Sequence, residues 1–393
     1  MATRHYSVPH FFRQVPNALL KRYFVSHDLF GDVDFKKMSE TKPDALLAAW
    51  DALPDERRTA IEPHFRQIFN LASGKGFHAI RDEAYFHLRE KPDEFAAFFE
   101  RLAAMDNHYE RAMSTFLDHP AYWPGAVHFC HADSLSFWRK RRGLPARPAA
   151  IDLPSRAALE AEIGSWFRKA EGRGRNCRVE LLRRDQRDYF FVFPEDFANE
   201  SIEWVGNDFA RRPHNPAFEV VFVWSASDGS LDFNYRGTPK AKVALQTIFA
   251  RNVLKLDKLP PDDGDEAIYD LNRLKRREFQ FVYGADSGIQ SVCVRKLRLS
   301  STVRKGDRIS LEADTVSNPL ALYDVIEQAG RAFPLELWNA TQAEIVVQLA
   351  PVDDKQGKRE TFTVSYPNSC SLKYDDLGLK LRAMLVASGI EVQ

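Results

Sequence analysis

The stretch from Ala217 to Leu256 constrains the fold most, because strand, turn, strand and helix signals follow one another there without conflict. Phe218 to Trp224 (FEVVFVW) is a β-branched and aromatic run, while Leu231, Phe233 and Tyr235 alternate with Asp232, Asn234 and Arg236 at the period of a half-buried strand. Asp228-Gly229 closes the hairpin between them. Thr238 then offers a hydroxyl as N-cap, and Pro239 sits where a missing N–H is of no consequence. Val243, Leu245, Ile248, Phe249, Val253 and Leu254 carry the apolar face of the helix that follows. A sheet covered by a helix is the expected result.

The same order recurs from Ala343 to Ser388, where AEIVV aligns with FEVVF and a terminal helix is expected over Asp375 to Ala387. Each stretch is preceded by another hairpin, the later one expected from Phe279 to Tyr283 and Ser291 to Leu299. The pattern admits a duplicated α+β unit whose copies each cover one face of antiparallel strands with a helix. The match is short, and two unrelated hairpin–helix units account for it as well.

Residues 1–148 read instead as all-helical, since apolar residues recur at three and four with breakers at regular intervals. Helices are expected over 17–24, 44–53, 55–71 and 77–88. A long one should start at Pro92 and end near His119-Pro120, and another should run from Ala126 to Arg142. The Gly143-Leu144-Pro145-Ala146-Arg147-Pro148 stretch is the expected boundary, after which residues 149–393 form a mainly antiparallel α+β domain with possible halves 149–258 and 267–393. The fold class is therefore α+β, with the helices of the second domain expected on one face.

With 44% hydrophobic and 28% charged residues, the chain has ordinary globular usage, and no run approaches the ~18 apolar residues of a spanning helix. The amino-terminal MATRHYSVPHFF lacks the apolar core of a secretory signal, so the expected compartment is the cytoplasm and no membrane partner is expected. Cys130, Cys177, Cys293 and Cys370 contain no C-x-x-C pair, which points to reduced thiols rather than a disulfide framework.

A formal charge of zero conceals uneven local charge. Residues 137–187 hold fourteen Lys/Arg against six Asp/Glu, and residues 271–308 hold ten against three. Within them, Trp138 followed by Arg139, Lys140, Arg141 and Arg142 combines an aromatic with four consecutive cations, a composition suited to base stacking and phosphate contact. Cations at a helix carboxyl end are the competing account, because they complement the helix dipole without any ligand. Arg173 and Arg175, interleaved with Gly172 and Gly174, could present backbone and guanidinium groups to a phosphate or form an ordinary connection. Arg273, Lys275, Arg276 and Arg277 complete the candidate nucleic-acid-binding set.

Other chemistry is less supported by spacing. Arg81 and His87 (RDEAYFH) resemble the R-x4-6-H pattern of HEPN ribonucleases, a resemblance that spans seven residues and recurs at Arg58 and His64. It implies a His acting on a 2′-hydroxyl and an Arg stabilising phosphate charge at one cleft. His128, Cys130, His131 and Asp133 lie within six residues, but their spacing does not close a tetrahedral zinc site, so no metal and no cofactor are expected. There is no phosphate-cradling G-x-x-x-x-G-K-[ST] loop and no G-x-S-x-G elbow. The carboxylates of Asp262, Asp263, Asp265, Glu266, Asp353 and Asp354 read as solvated loops. The expectation is a cytoplasmic protein that binds DNA or RNA with little sequence preference; the alternatives are a non-catalytic subunit that docks other proteins and a HEPN-like ribonuclease.

Overall fold

A computed structural model describes residues 5–184, 186–206, 208–260, 267–331, 334–351 and 357–392. The carboxylate clusters at 262–266 and 353–354 lie outside these described residues. The chain forms two compact units, one of Met1–Asp133 with Leu182–Asp185 and Glu200–His214, the other of Ser134–Leu181, Gln186–Asn199 and Asn215–Gln393.

The first unit is helical, with α1 (Val8–Gln14), α2 (Asn17–Ser26), α3 (Asp44–Asp51), α4 (Asp55–Leu71), α5 (Gly74–Leu88), α6 (Pro92–Ala103), α7 (His108–Asp118) and α8 (Trp123–Ala132). Its centre is Phe65 on α4, fully buried and in ring contact with Phe11, Phe12, Tyr23, Phe24 and Trp50. The long helix expected from Pro92 is two helices. Asn107 interrupts it by accepting from the backbone N–H groups of Tyr109 and Glu110 at 2.8 and 2.9 Å, which starts α7 afresh.

The expected helix from Ala126 to Arg142 also ends early. After α8, Phe137 takes a left-handed backbone (φ 64°), and β1 (Trp138–Arg141) follows as a strand. Four residues show only two positions per face, too few for a period to be legible in sequence. The second unit continues with α9 (Leu153–Glu171), β2 (Cys177–Arg184) and β3 (Arg187–Pro194). A separate two-stranded ribbon, β4 (Asn199–Val205) and β5 (Asp208–His214), belongs largely to the first unit. Then come β6 (Val220–Ser225), β7 (Ser230–Asn234), α10 (Pro239–Asn252), β8 (Ile289–Ser301), β9 (Arg308–Glu312), α11 (Ala321–Gly330), β10 (Trp338–Leu349), β11 (Arg359–Ser365), β12 (Ser369–Cys370) and α12 (Asp376–Ala387). Residues 279–283, expected as a strand, are not one; β8 pairs instead with β9 and β10.

The sheet has ten strands in the order β2-β3-β6-β7-β1-β12-β11-β10-β8-β9, and the pairings from β3 to β9 along it are antiparallel. The fold is α+β. Residues directly opposite in an antiparallel pair share a face, and successive residues alternate. On β1, Arg139 lies opposite Phe233, which packs with Leu245, Ile248 and Phe249 of α10. Trp138 lies opposite Cys370, which packs with Leu381, Met384 and Leu385 of α12. The two covering helices therefore occupy opposite faces of the sheet, not the one face expected. No helix among the described residues is long and apolar enough to cross a membrane.

Candidate nucleic-acid interface

The strand period of β1 distributes its side chains to two destinations. Trp138 is 1% exposed and meets the Tyr374 ring edge-on at 5.1 Å, so it offers no surface for a base. Lys140, on the same face, donates to Glu391 at 2.9 Å, and Arg142 beyond the strand pairs with the same carboxylate. Arg141 points the other way and is buried, donating to Gln246 of α10 at 3.4 Å and to the Pro260 carbonyl. The expectation that Trp138 and this cation run form one exposed surface is thereby corrected.

Arg139 differs. It shares the α10 face with Arg141 but lies nearer the amino-terminal end of that helix, where it lines a pocket of about 260 Å³ together with Arg236 and Lys242. Lys242 and Gln246 are four apart on α10 and project from one side, so the helix sets Lys242 beside Arg139 and Gln246 beside Arg141. Arg139 donates to the Asn368 side chain at 3.4 Å; among the described residues Arg139, Arg236 and Lys242 make no ion pair. Among the described residues no carboxylate lines the pocket. Burial, and then the Arg139 charge, holds the Lys242 ammonium below its usual pKa.

The wall is built by local chemistry. Thr238 caps α10 by accepting from the Ala241 N–H at 3.2 Å. The Asn234 side chain donates to the Ser136 carbonyl at 2.8 Å and ties the segment before β1 to β7. Gly237 lets the Tyr235 ring approach, since a Cβ there would stand 2.0 Å from that ring. Phe137, 59% exposed, lies at the pocket as an accessible aromatic face.

Of these residues only Arg139 belongs to the set expected from sequence. Arg236 and Lys242 carried a signal that was not used. Lys240 and Lys242 occupy the first turn of α10 with no acidic residue beside them, the end where the dipole disfavours cations.

The remaining candidates are dispersed or engaged. Arg173 pairs with Glu171 at 2.7 Å and Asp196 at 2.9 Å, and its guanidinium stacks 3.9 Å from the Phe218 ring centroid. The Gly172 and Gly174 N–H groups donate to the Arg168 and Glu195 carbonyls, so both glycine N–H groups are engaged within the protein. Arg175 is exposed. Arg273 pairs with Asp270 at 3.2 Å, and Arg277 with Asp324 and Glu327 at 2.8 and 3.0 Å. Lys275 donates to the carbonyls of Leu335 and Trp338, and Arg276 is exposed. A larger cavity of about 840 Å³ includes Arg142 and Asp270, both engaged as described, among hydroxyl and amide groups such as Ser300, Thr341 and Asn339.

In the helical unit, Arg81 and His87 are six positions apart on α5, which sets them about 120° apart around the axis. Arg81 pairs with Asp82 at 2.7 Å and His87 with the buried Glu83 at 3.1 Å; the two do not converge on one cleft. His64 meets the Tyr23 hydroxyl at 2.7 Å, and Arg58 pairs with Asp55. His128 Nδ1 contacts the Pro124 carbonyl at 2.8 Å, and among the described residues no group of three or more His, Cys, Asp or Glu could hold a metal ion.

Neither protein-family models nor curated proteins match this chain.

Proposed function

We propose that the protein binds nucleic acid through the pocket between β1 and the start of α10, with Arg139, Arg236 and Lys242 contacting phosphate and Phe137 offering a face to a base. The observation that carries this reading is the convergence of three cations in one pocket with no carboxylate among the described residues that line it. Like charges held together raise the free energy of the empty site, and an anion relieves it. Phosphate supplies that charge, and the adjacent exposed ring suits an unpaired base, whose stacking is worth about 1–3 kcal/mol and is tolerant of sequence. Fluorescence anisotropy with single- and double-stranded DNA and RNA at low salt tests the reading. Binding that is lost in Arg236→Gln and Lys242→Gln supports it, and absence of binding to all four probes contradicts it.

A second reading, docking of a protein partner, is favoured by the β4–β5 ribbon. Ile202, Trp204 and Phe209 are 59, 71 and 56% exposed, and the Trp204 and Phe209 rings meet at 5.4 Å. Large apolar groups clustered on a surface mark interaction sites. Concentration-dependent sedimentation that disappears in Trp204→Glu would favour self-docking through the ribbon.

A further inference from the structure

Resting on the nucleic-acid reading, we infer that the pocket at Arg139, Arg236 and Lys242 recognises the terminal phosphomonoester of a strand rather than phosphodiesters along its length. Three features of the protein carry this. The first is convergence. Strand-tracking proteins spread cations along a groove, whereas here three meet in about 260 Å³, less than the ~300 Å³ at which pockets for drug-sized ligands begin.

The second is that most of the candidate cations are engaged elsewhere. Lys140, Arg142, Arg173, Arg273 and Arg277 are each paired with a carboxylate, and Arg141 is buried on Gln246 and Pro260. Arg175 and Arg276 are exposed but stand outside the described lining of the pocket, so of the candidate set Arg139 is the member that lines it.

The third is charge balance. An internal phosphodiester carries one negative charge, while a monoester carries about 1.5–2 at neutral pH and three strong acceptor oxygens. Three cations with no carboxylate among the described lining residues match the monoester better. Lys242, whose charged form is disfavoured by burial and by Arg139, is favoured by added negative charge in the pocket. Phe137 then stacks the base next to the bound phosphate, and one exposed ring beside one pocket fits an end rather than a continuous strand.

The experiment compares one 12-nucleotide single strand in three forms: 5′-phosphorylated, 3′-phosphorylated, and with hydroxyls at both ends. Binding to the full chain is measured by competition against a labelled strand. A phosphorylated form should bind about tenfold more tightly than the hydroxyl form, with inorganic phosphate competing for that advantage. The advantage should vanish in both Arg236→Gln and Lys242→Gln, two substitutions in the pocket lining, one in the connection before α10 and one on α10. Preference for the 5′- or the 3′-phosphate supports the inference in either case and assigns the end. Equal affinity for all three forms, still lost in the pocket variants, overturns end recognition while leaving nucleic-acid binding intact. Absence of binding to any form overturns both.

Discussion

Arg139 on β1 and Lys242 on α10 line the same pocket, and the Arg139 charge adds to burial in holding the Lys242 ammonium below its usual pKa. Folding has thus placed two like charges together at a site that water reaches, and Arg236 makes a third.

Phe137 combines an exposed ring with a left-handed backbone, φ 64°, a region that costs a non-glycine residue about 1 kcal/mol or more. Phe137→Gly should leave folding stability within about 1 kcal/mol of wild type, because relief of the backbone offsets the greater entropy of the unfolded chain. Single-strand binding should weaken by about 1–3 kcal/mol, with duplex binding little changed. Chemical denaturation and anisotropy on the same preparation separate the two effects.

Trp138→Ala is predicted to act on stability. The ring is 1% exposed and packed on Tyr374, so its removal should cost about 3–5 kcal/mol in denaturant unfolding. A variant of wild-type stability with weakened binding would show that the ring faces a ligand instead.

Arg382 on α12 is buried, donates to the Leu372 carbonyl at 2.8 Å and lies 4.2 Å from the Tyr374 ring centroid, with the buried Asp232 contributing to its electrostatic surroundings. Arg382→Ala removes a buried guanidinium that satisfies the Leu372 carbonyl and packs on Tyr374, and should destabilise the protein by about 3 kcal/mol, read from the urea midpoint.

The start of α10 was legible in sequence because Thr238 and Pro239 act locally, and the expected bounds of α4 match because Pro54 and the apolar spacing act locally too. Asn107 and β1 were not legible. Asn107 looks like any polar residue in a helical pattern until its side chain is seen to cap α7, and β1 is placed by pairing with β7 and β12, from distant parts of the chain. The pocket was half legible for the same reason. Arg139 stood out as one of four adjacent cations, yet which of the four reaches the surface depends on strand alternation and on α10.

His64 supplies a pH prediction. Burial, and then the neighbouring His27, lowers its pKa, while its Nδ1 meets the Tyr23 hydroxyl at 2.7 Å. A histidine whose folded pKa lies below its unfolded value supports folding when neutral, and that support is lost as pH falls through the unfolded toward the folded value. The urea midpoint should therefore fall between about pH 7.5 and 5, and His64→Gln should flatten part of that fall. A slope unchanged in the variant would assign the pH dependence to other groups.

The most direct test is the salt dependence of binding to an unlabelled-end single strand by wild type, by Arg236→Gln/Lys242→Gln, and by Arg304→Gln/Lys305→Gln, a control pair exposed between β8 and β9. Log K should fall as salt rises, and the pocket variant should bind more weakly with a shallower slope. The control should keep the wild-type slope. Equal slopes for the pocket variant and wild type, or a loss confined to the control, would contradict the account that the nucleic-acid interface is the pocket at Arg139, Arg236 and Lys242.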